Sequence, residues 1–261
     1  MKEPLIHPTA IISASAQIDS SVRIGPYSVI GAGVDIGAET IIDSHVVLKG
    51  PMTLGRGNRV YPFAVLGELS QDMTARPDDA TRVVIGDRNT IREYVTIQRG
   101  TLKEQGLTKV GDDNWIMAHV HIAHDCVVGN HTIMANNVAL SGHIFVGDWA
   151  VLGGYTLIHQ FCRLGAHCFT GGGAVLRRDV PPFVMVEGHP AQPRGINSEG
   201  LKRRGFSLED VTAIKDAYKL IYLSGMVMAD VKTGLSKLAA QSPAVGQMLE
   251  FIESSKRALQ R

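Results

Sequence analysis

Residues 24–54 read IGPYSVIGAGVDIGAETIIDSHVVLKGPMTL, and an aliphatic residue stands at every sixth position of this stretch. The same spacing begins at Ile6 and continues, with two interruptions, to Leu176. Helices need apolar spacings of three and four and strands need a spacing of two, so neither element alone explains a period of six. Glycine often follows the aliphatic residue, as tight corners between short strands require. Three such units make one coil of a prism and stacked coils pair into parallel sheets, so the sequence predicts a parallel β-helix.

The six-residue phase breaks twice, at 66–85 and at 97–110. Both intervening segments are polar, and the first contains Pro77. We therefore predict loops that leave the prism near residues 69–83 and 100–109. Loops on a rigid scaffold are common places for binding and catalytic residues.

The repeat stops after a pair of prolines, and the apolar spacing then becomes helical. We predict two domains, a β-helix over residues 1–187 and a helical domain over 188–261. Ser207 has the features of a helix N-cap, and further helices are predicted over 229–241 and 244–259. The helical domain has 11 Lys and Arg against 7 Asp and Glu. This excess suits an anionic ligand or an acidic partner, and it equally suits a solvated helical face.

Composition argues against several classes of protein. Lys and Arg number 26 against 25 Asp and Glu, and a net charge of +1 argues against a dedicated nucleic-acid binder. No apolar run approaches the roughly 18 residues of a membrane span, and the N-terminus lacks the apolar core of a secretory signal. Cys126, Cys162 and Cys168 fall at inward positions of the repeat, so we predict that they pack in the core. The expected compartment is a reducing cytosol.

Histidines concentrate in one part of the repeat, where residues 119–125 read HVHIAHD. Further histidines follow about one and two coils of 18 residues later, so we expect these side chains to stack on one corner of the prism. A neutral imidazole can take a proton from a hydroxyl near pH 7, and Asp125 can stabilise the imidazolium that results. The residues expected to share the corner are His124, Gly142, His143, His159 and Gln160.

Three chemistries fit this column of residues. The first is acyl transfer, with one histidine as general base and a backbone N–H such as that of Gly142 receiving the oxyanion. The second is a zinc site between subunits that includes His119 and His124, although residues 81–86, where a third ligand is expected, contain no histidine. The third is a scaffold without catalytic activity, which requires neither the histidine column nor the basic helical domain.

Five segments are more specific than the repeat: GDRN at 86–89, IRE at 91–93, HIAHDC at 121–126, HQFC at 159–162 and GLKRRGF at 200–206. Together they resemble the UDP-N-acetylglucosamine O-acyltransferases, a family of hexapeptide-repeat transferases. The resemblance implies left-handed coils and a homotrimer with active sites between neighbouring prisms. It also implies transfer of an (R)-3-hydroxyacyl chain from acyl carrier protein to the 3-position of the glucosamine of UDP-N-acetylglucosamine, the first step of lipid A biosynthesis. The implied setting is the cytoplasm of a Gram-negative bacterium, and no metal or cofactor is expected.

The resemblance also assigns roles by position. His124 is expected to be the general base, with Asp125 as its charge partner and the N–H of Gly142 in the oxyanion site. The position that measures acyl length in the family corresponds to Gly172, and a glycine there implies a long chain. The residues expected to line the site or to contact the nucleotide sugar are Asp72, His121, His143, His159, Gln160, Asn197, Glu199, Arg203 and Arg204.

Two positions depart from the pattern of that family. Gln98 stands where members often have a histidine, and Thr74 stands where a lysine often follows the loop aspartate. Because both positions are expected near the acceptor, an alternative hypothesis is that the acceptor is the 3-amino analogue of the sugar. Two further interpretations are the N-acyltransferase of the same pathway and an acetyl-CoA-dependent transferase. The first typically has an extra N-terminal domain, whereas the hexads here begin at Ile6, and the second leaves GLKRRGF unexplained.

Overall fold

The computed structural model describes residues 5–260 and contains three sheets of nine, eight and ten strands. Apart from the last two pairings of the ten-stranded sheet, successive strands along each sheet are three places apart in the chain, as the coils of a β-helix require, and all pairs except one are parallel. The prediction of a parallel β-helix is therefore confirmed. The outer ends of the two predicted domains, residues 1–4 and 261, lie outside the described residues.

The three sheets are called the first, second and third faces. The first face consists of β1 (Ile11–Ile12), β4 (Val29–Ile30), β7 (Val47–Leu48), β10 (Val65–Glu68), β13 (Thr96–Gln98), β16 (His121–Ile122), β19 (Ala139–Leu140), β22 (Leu157–Ile158) and β25 (Val175–Leu176). The second consists of β2 (Gln17–Ile18), β5 (Val34–Ile36), β8 (Met52–Leu54), β11 (Arg82–Ile85), β14 (Leu107–Val110), β17 (Val127–Val128), β20 (Phe145–Val146) and β23 (Arg163–Leu164). The third consists of β3 (Arg23–Ile24), β6 (Ile41–Ile42), β9 (Arg59–Val60), β12 (Thr90–Ile91), β15 (Trp115–Ile116), β18 (Ile133–Met134), β21 (Val151–Leu152), β24 (Phe169–Thr170), β26 (Val184–Glu187) and β27 (Gln192–Ile196).

The aliphatic residue of each hexad points into the prism and forms its core. Ile122, Val128 and Met134 follow one another on the three faces, and each is at most 1% exposed. A fully buried aliphatic side chain contributes about 1.5–3 kcal/mol relative to an exposed one, so a regular column of them stabilises the whole prism. Thr170, a polar exception in this series, is also buried, and its hydroxyl lies 2.8 Å from that of Thr156. The three cysteines are buried as predicted.

The chain turns between faces at three corners, and each corner recurs in every coil. The first corner, from the first face to the second, includes residues 123–126, 141–144 and 159–162. The second corner, from the second face to the third, includes residues 129–132, 147–150 and 165–168. The third corner, from the third face back to the first, includes residues 117–120, 135–138, 153–156 and 171–174. Many of these turns place a side-chain-bearing residue at φ near +60°, and such side chains stack along the corner.

Two loops replace turns of the prism, and both lie at the first corner. Residues 69–81 connect β10 to β11, and residues 99–106 connect β13 to β14. The predicted loops extended too far, because residues 82–83 and 107–109 belong to strands. β11 and β14 pair with each other in register from their first residues, which removes those positions from the loops. Both loops therefore project over the same edge of the prism.

The strand β27 runs antiparallel to β26, so residues 192–196 extend the third face beyond residue 187. The division of the chain into two domains at residue 187 stays a prediction. In the part of the chain that the structure describes, the helices that follow are α1 (Ser198–Arg203), α2 (Leu208–Tyr222), α3 (Met228–Ala239) and α4 (Pro243–Ser254). Ser207 caps α2 as predicted, and its hydroxyl accepts a hydrogen bond from the N–H of Asp210. The helix predicted over 244–259 ends at Ser254, because the chain beyond it is extended and Leu259 forms a β-bridge with Asp179 of the prism.

The helices pack on one another through buried side chains such as Ile214, Leu235 and Met248. Arg163 joins them to the prism, since its guanidinium lies 4.8 Å from the ring of Phe251. Among residues 5–260, no helix combines the length and the apolar character that crossing a bilayer demands.

Candidate active site

The first corner brings His124, Asp125 and Gly142 together on neighbouring coils. Nδ1 of His124 lies 2.9 Å from Oδ2 of Asp125, and the imidazole is 14% exposed while the carboxylate is buried. A carboxylate accepts a hydrogen bond only from a protonated Nδ1, so a neutral ring carries its proton there and leaves a free lone pair on Nε2. His124 is therefore oriented as a proton acceptor.

Gly142 makes room for this ring. A Cβ at Gly142 would lie 2.4 Å from Cε1 and 2.6 Å from Nε2 of His124, well inside van der Waals contact. The N–H of Gly142 has no backbone acceptor among residues 5–260. A proton acceptor and an available backbone donor thus lie side by side, which is the combination that acyl transfer through an oxyanion uses.

His143 closes one side of this group. Its ring stacks on Phe161 with 4.3 Å between centroids and meets the ring of His124 edge-on at 5.0 Å. Nδ1 of His143 lies 3.3 Å from Oε2 of Glu104, which belongs to the loop 99–106. The side chain of His143 is only 6% exposed, because the ring lies between the stack and this loop.

Asp72 reaches the same corner from the other loop. The hydroxyl of Thr74 donates to its Oδ1 at 2.6 Å, and Nζ of Lys103 lies 2.5 Å from its Oδ2. These bonds, with that from Lys103 the stronger, hold the pKa of the Asp72 carboxyl well below its usual range. Oε1 of Gln98 accepts from the N–H of Gln71 at 3.2 Å. The two departures from the family's pattern, Thr74 and Gln98, thus both hold this loop in place.

The other predicted residues of the first corner lie beside this group. Burial, followed by the charge of His124, lowers the pKa of His121, so His121 stays neutral near pH 7. His159 and Gln160 are exposed on a later coil, and Nδ1 of His159 lies 3.1 Å from the carbonyl oxygen of Gln160. Arg257, beyond the last helix, also donates to that carbonyl oxygen at 2.8 Å.

Asn197 and Arg204 lie at the second corner. The side chain of Asn197 caps α1 and donates to the carbonyl oxygen of His167 at 2.9 Å. The guanidinium of Arg204 lies 5.0 Å from the ring centroid of Trp149 and donates to the carbonyl oxygen of that residue at 3.2 Å. Burial, followed by the charge of Arg204, lowers the pKa of His167 to about 4.

The remaining predicted residues do not reach His124 in one chain. Glu199 and Arg203 are exposed on α1. Gly172 lies at the third corner, where the nearest atom to a Cβ would be the carbonyl oxygen of Gly154 at 3.5 Å. The predicted site residues are therefore distributed over three corners, and a single chain assembles only the group at the first corner.

His124, Asp125 and His143 could also hold a metal ion, since one ligand atom from each lies within 4.8 Å of the others. Two imidazoles and one carboxylate form a donor set that Zn²⁺ accepts. His119 does not join this set in a single chain, because its ring stacks on Tyr94 at the third corner with 4.8 Å between centroids. Within one chain His119 and His124 thus lie at different corners, and the zinc site between subunits that spacing suggested stays an untested alternative.

Comparisons with known proteins give one consistent family assignment over nearly the whole chain. Residues 179–260 match the family model described as UDP-N-acetylglucosamine O-acyltransferase, domain 2, and residues 107–142 match six bacterial transferase hexapeptide repeats. A relative from Saccharophagus degradans, named acyl-[acyl-carrier-protein]–UDP-N-acetylglucosamine O-acyltransferase, is 49% identical over 256 residues, which are 98% of this chain and 99% of the relative. The chain belongs to the UDP-N-acetylglucosamine O-acyltransferase family.

Solved structures of UDP-N-acetylglucosamine O-acyltransferases share the architecture. LpxA from Acinetobacter baumannii is 42% identical with a TM-score of 0.96, and the comparison covers 99% of this chain and 100% of that one. The UDP-N-acetylglucosamine acyltransferase of Francisella novicida is 41% identical with a TM-score of 0.96, covering 98% of this chain and 94% of that one. The fold is therefore a left-handed parallel β-helix followed by a small helical region, as predicted.

The loop 99–106 gives this UDP-N-acetylglucosamine O-acyltransferase contacts that the sequence did not reveal. Besides the contact of Glu104 described above, the hydroxyl of Thr101 donates to Asp125 at 2.6 Å, and Lys103 pairs with Asp72. The available signal was the break in the six-residue phase. That break locates a loop but does not show which corner the loop covers.

Proposed function

We propose that the protein transfers an (R)-3-hydroxyacyl group from acyl carrier protein to the 3-position of the glucosamine of UDP-N-acetylglucosamine, the first step of lipid A biosynthesis. The observation that carries the proposal is the pairing of Nδ1 of His124 with the buried carboxylate of Asp125, beside the available N–H of Gly142. The name of the Saccharophagus degradans relative supports the same donor and acceptor.

In the proposed reaction, Nε2 of His124 takes the proton of the 3-hydroxyl while the hydroxyl oxygen attacks the thioester carbonyl carbon. The new C–O bond forms as the carbonyl electron pair moves to oxygen, and the N–H of Gly142 stabilises this oxyanion. The oxyanion then collapses, the C–S bond breaks, and the departing thiolate of the carrier takes the proton from the imidazolium. Asp125 stays ionised throughout and stabilises the imidazolium between the two proton transfers.

Arg204 supports binding of the nucleotide diphosphate. Its Nη1 is buried and has no hydrogen-bond partner among residues 5–260, while its Nη2 is held by the carbonyl oxygen of Trp149. A guanidinium fixed in this way places a permanent positive charge at the second corner, which suits the negative charge of a diphosphate. Asn197, Glu199 and Arg203 belong to the same segment and would complete the contacts with the nucleotide.

The separation of the two groups favours a homotrimer as the active form. His124 lies at the first corner and Arg204 contacts the second, so one nucleotide sugar could touch both groups if neighbouring prisms in a cyclic trimer contributed different corners to one site. The proposed compartment is the cytoplasm, and the proposed protein partner is acyl carrier protein.

Product mass spectrometry tests the function. The purified protein is offered hydroxyacyl carrier proteins of several chain lengths, with UDP-N-acetylglucosamine and its 3-amino analogue in competition. An O-acylated UDP-N-acetylglucosamine is the expected product, and the preferred donor reports the acyl length for comparison with the open position at Gly172. A strong preference for the amino sugar would move the assignment to N-acylation, and the absence of any acylated sugar would overturn the proposal.

Elemental analysis tests the competing interpretation that the first corner is a metal site. Protein purified without chelators is assayed for bound transition metals, and turnover is compared before and after dialysis against a chelator. Because His124 acts here as a proton acceptor, activity is expected to survive the chelator unchanged. Stoichiometric zinc together with loss of activity on its removal would instead favour a metal centre at His124, Asp125 and His143.

A further inference from the structure

We propose that Thr101 is a positioning residue for the acyl transfer, an inference that rests on the proposed function of His124. Thr101 does not touch the reacting atoms. It acts by fixing the carboxylate of Asp125, which in turn fixes the imidazole of His124.

Thr101 holds Asp125 with two separate donors. Its N–H lies 3.0 Å from Oδ1 and 3.1 Å from Oδ2 of Asp125, and its hydroxyl donates to Oδ2 at 2.6 Å. Both residues are buried, with Thr101 at 3% and Asp125 at 5% exposure. Hydrogen bonds to a buried carboxylate are strong because water does not compete for the acceptor, so this contact determines the orientation of the carboxyl group.

The same carboxylate has few other partners. Among residues 5–260, its hydrogen-bond donors are the two groups of Thr101 and Nδ1 of His124. The threonine hydroxyl and the imidazole share Oδ2, so the position of one donor limits the position of the other. Without the hydroxyl, only the N–H of Thr101 and the imidazole would hold the carboxyl group, so Oδ2 would shift and the alignment of His124 Nε2 with the acceptor hydroxyl would change.

The backbone of Asp125 is fixed from β14, the strand that follows the same loop. Asp125 has φ of 57°, a left-handed conformation that costs energy for a residue with a side chain. Its N–H donates to the hydroxyl of Thr108 at 2.9 Å, just after the loop 99–106. Thr101 of the loop thus binds the carboxylate of Asp125 while Thr108 of β14 binds its backbone, so the loop and the strand that follows it position Asp125 together.

The test compares Thr101→Val with Thr101→Ser. Valine keeps the shape and removes the hydroxyl, so kcat is expected to fall on the order of 10- to 100-fold, as for loss of a hydrogen bond to a charged group. KM for the nucleotide sugar and for the acyl carrier protein is expected to stay within about twofold, because Thr101 contacts neither. Thr101→Ser restores the donor and is expected to recover most of kcat. Unchanged kcat in Thr101→Val, or failure of serine to recover it, would overturn the proposal.

Thr156→Val is the matched control. Thr156 is also buried and its hydroxyl donates to the carbonyl oxygen of Gly153 at 2.7 Å, but it lies at the third corner. This variant is expected to lose stability and to keep the wild-type kcat. An equal loss of kcat in both valine variants would show a general structural effect and would contradict the positioning role.

An activity-independent readout separates this proposal from the proposed function. In protein labelled with ¹⁵N-histidine, the Nδ1 proton of His124 is identified by its loss in His124→Gln. Its resonance is expected to shift in Thr101→Val and to keep the wild-type position in Thr101→Ser and Thr156→Val. If the Nδ1 proton of His124 resonates at the wild-type position in Thr101→Val, the positioning role is overturned, whatever the enzyme assays show. Absence of turnover in the wild type, with the shift present, would overturn the proposed function alone.

Discussion

At the scale of single residues, the glycine beside His124 is as informative as the histidine itself. Any Cβ at position 142 would overlap the imidazole, with 2.4 Å to Cε1. The ring cannot simply move away, because Asp125 holds its Nδ1 at 2.9 Å. The position of the His124 imidazole thus depends on the absence of a Cβ at Gly142, one coil away.

Gly142→Ala should therefore reduce kcat by about tenfold or more while leaving the protein folded, because the displaced ring loses its alignment. Steady-state kinetics and a thermal melt measure the two effects. Gly154→Ala is the control, since the nearest atom to its Cβ would be the carbonyl oxygen of Asn136 at 3.3 Å, which requires a shift of a few tenths of an ångström. Equal activity in the two alanine variants would contradict the proposed placement of His124.

The cysteines provide a second test at this scale. Burial raises the pKa of Cys126 and Cys168 to about 12 and that of Cys162 to about 11, so the reactive thiolate is scarce at neutral pH. Native protein should not react with a disulfide reagent at pH 8 within minutes, and all three thiols should react in denaturant. Rapid reaction of a native thiol would show that the prism core opens.

At the scale of elements, the second corner contains a buried histidine that makes stability depend on pH. Burial and then Arg204 lower the pKa of His167 from 6.5 to about 4. Between these values the unfolded chain binds a proton that the folded chain does not, so stability is present above pH 6.5 and is lost as pH falls toward 4.

His167→Phe should remove this dependence while keeping the aromatic stack. Phe161 and Phe183 already occupy equivalent turns with φ of 66° and 68°, so phenylalanine fits the backbone there. Urea unfolding from pH 7.5 to pH 4 measures the effect. The wild type should lose more stability than the variant as pH falls, whereas parallel curves would show that His167 titrates normally in the folded protein.

The period of six predicted the coils, because each coil repeats the same burial and the same corner. The corner that the loops cover was not predictable from that period. The 19 residues from Leu66 to Ile85 fit one hexad with an insertion as well as three hexads with one extra residue. The structure shows one hexad with an insertion, since β10 and β11 lie on adjacent faces. Thr101 and Lys103 were missed for this reason, because their contacts depend on that corner.

The histidine column shows a similar limit. Spacing correctly grouped His124 with Gly142 and His143, because residues 18 positions apart stack on one corner. Spacing does not show that His119 and His124, which it suggested for a zinc site between subunits, lie at different corners of one chain. The antiparallel strand β27 was not expected, because its QPRGI segment lacks the aliphatic alternation of a strand.

At the scale of the whole molecule, the distribution of the predicted site over three corners is the main argument for assembly. His124 belongs to the first corner and Arg204 contacts the second, so within one chain the proposed base and the proposed diphosphate contact lie at different edges of the prism. The homotrimer stays a prediction that a mixing experiment can decide.

His124→Ala and Arg204→Ala should each be nearly inactive alone. If each site takes His124 from one chain and Arg204 from its neighbour, trimers assembled at random from equal amounts of the two variants should recover about one quarter of wild-type activity. The measurement is activity after joint unfolding and refolding, with each variant refolded alone as its control. A mixture no more active than the separate variants would place both residues in one chain's site.

The most direct test of the account is the single-turnover rate of His124→Ala with hydroxyacyl carrier protein and UDP-N-acetylglucosamine. Light scattering and circular dichroism verify that the variant keeps the assembly and the fold of the wild type. Removing a general base should slow acyl transfer by roughly 10²–10⁴-fold, which corresponds to about 3–5 kcal/mol in the barrier. A rate near that of the wild type would contradict the assignment of His124 and, with it, the chemistry proposed for the first corner.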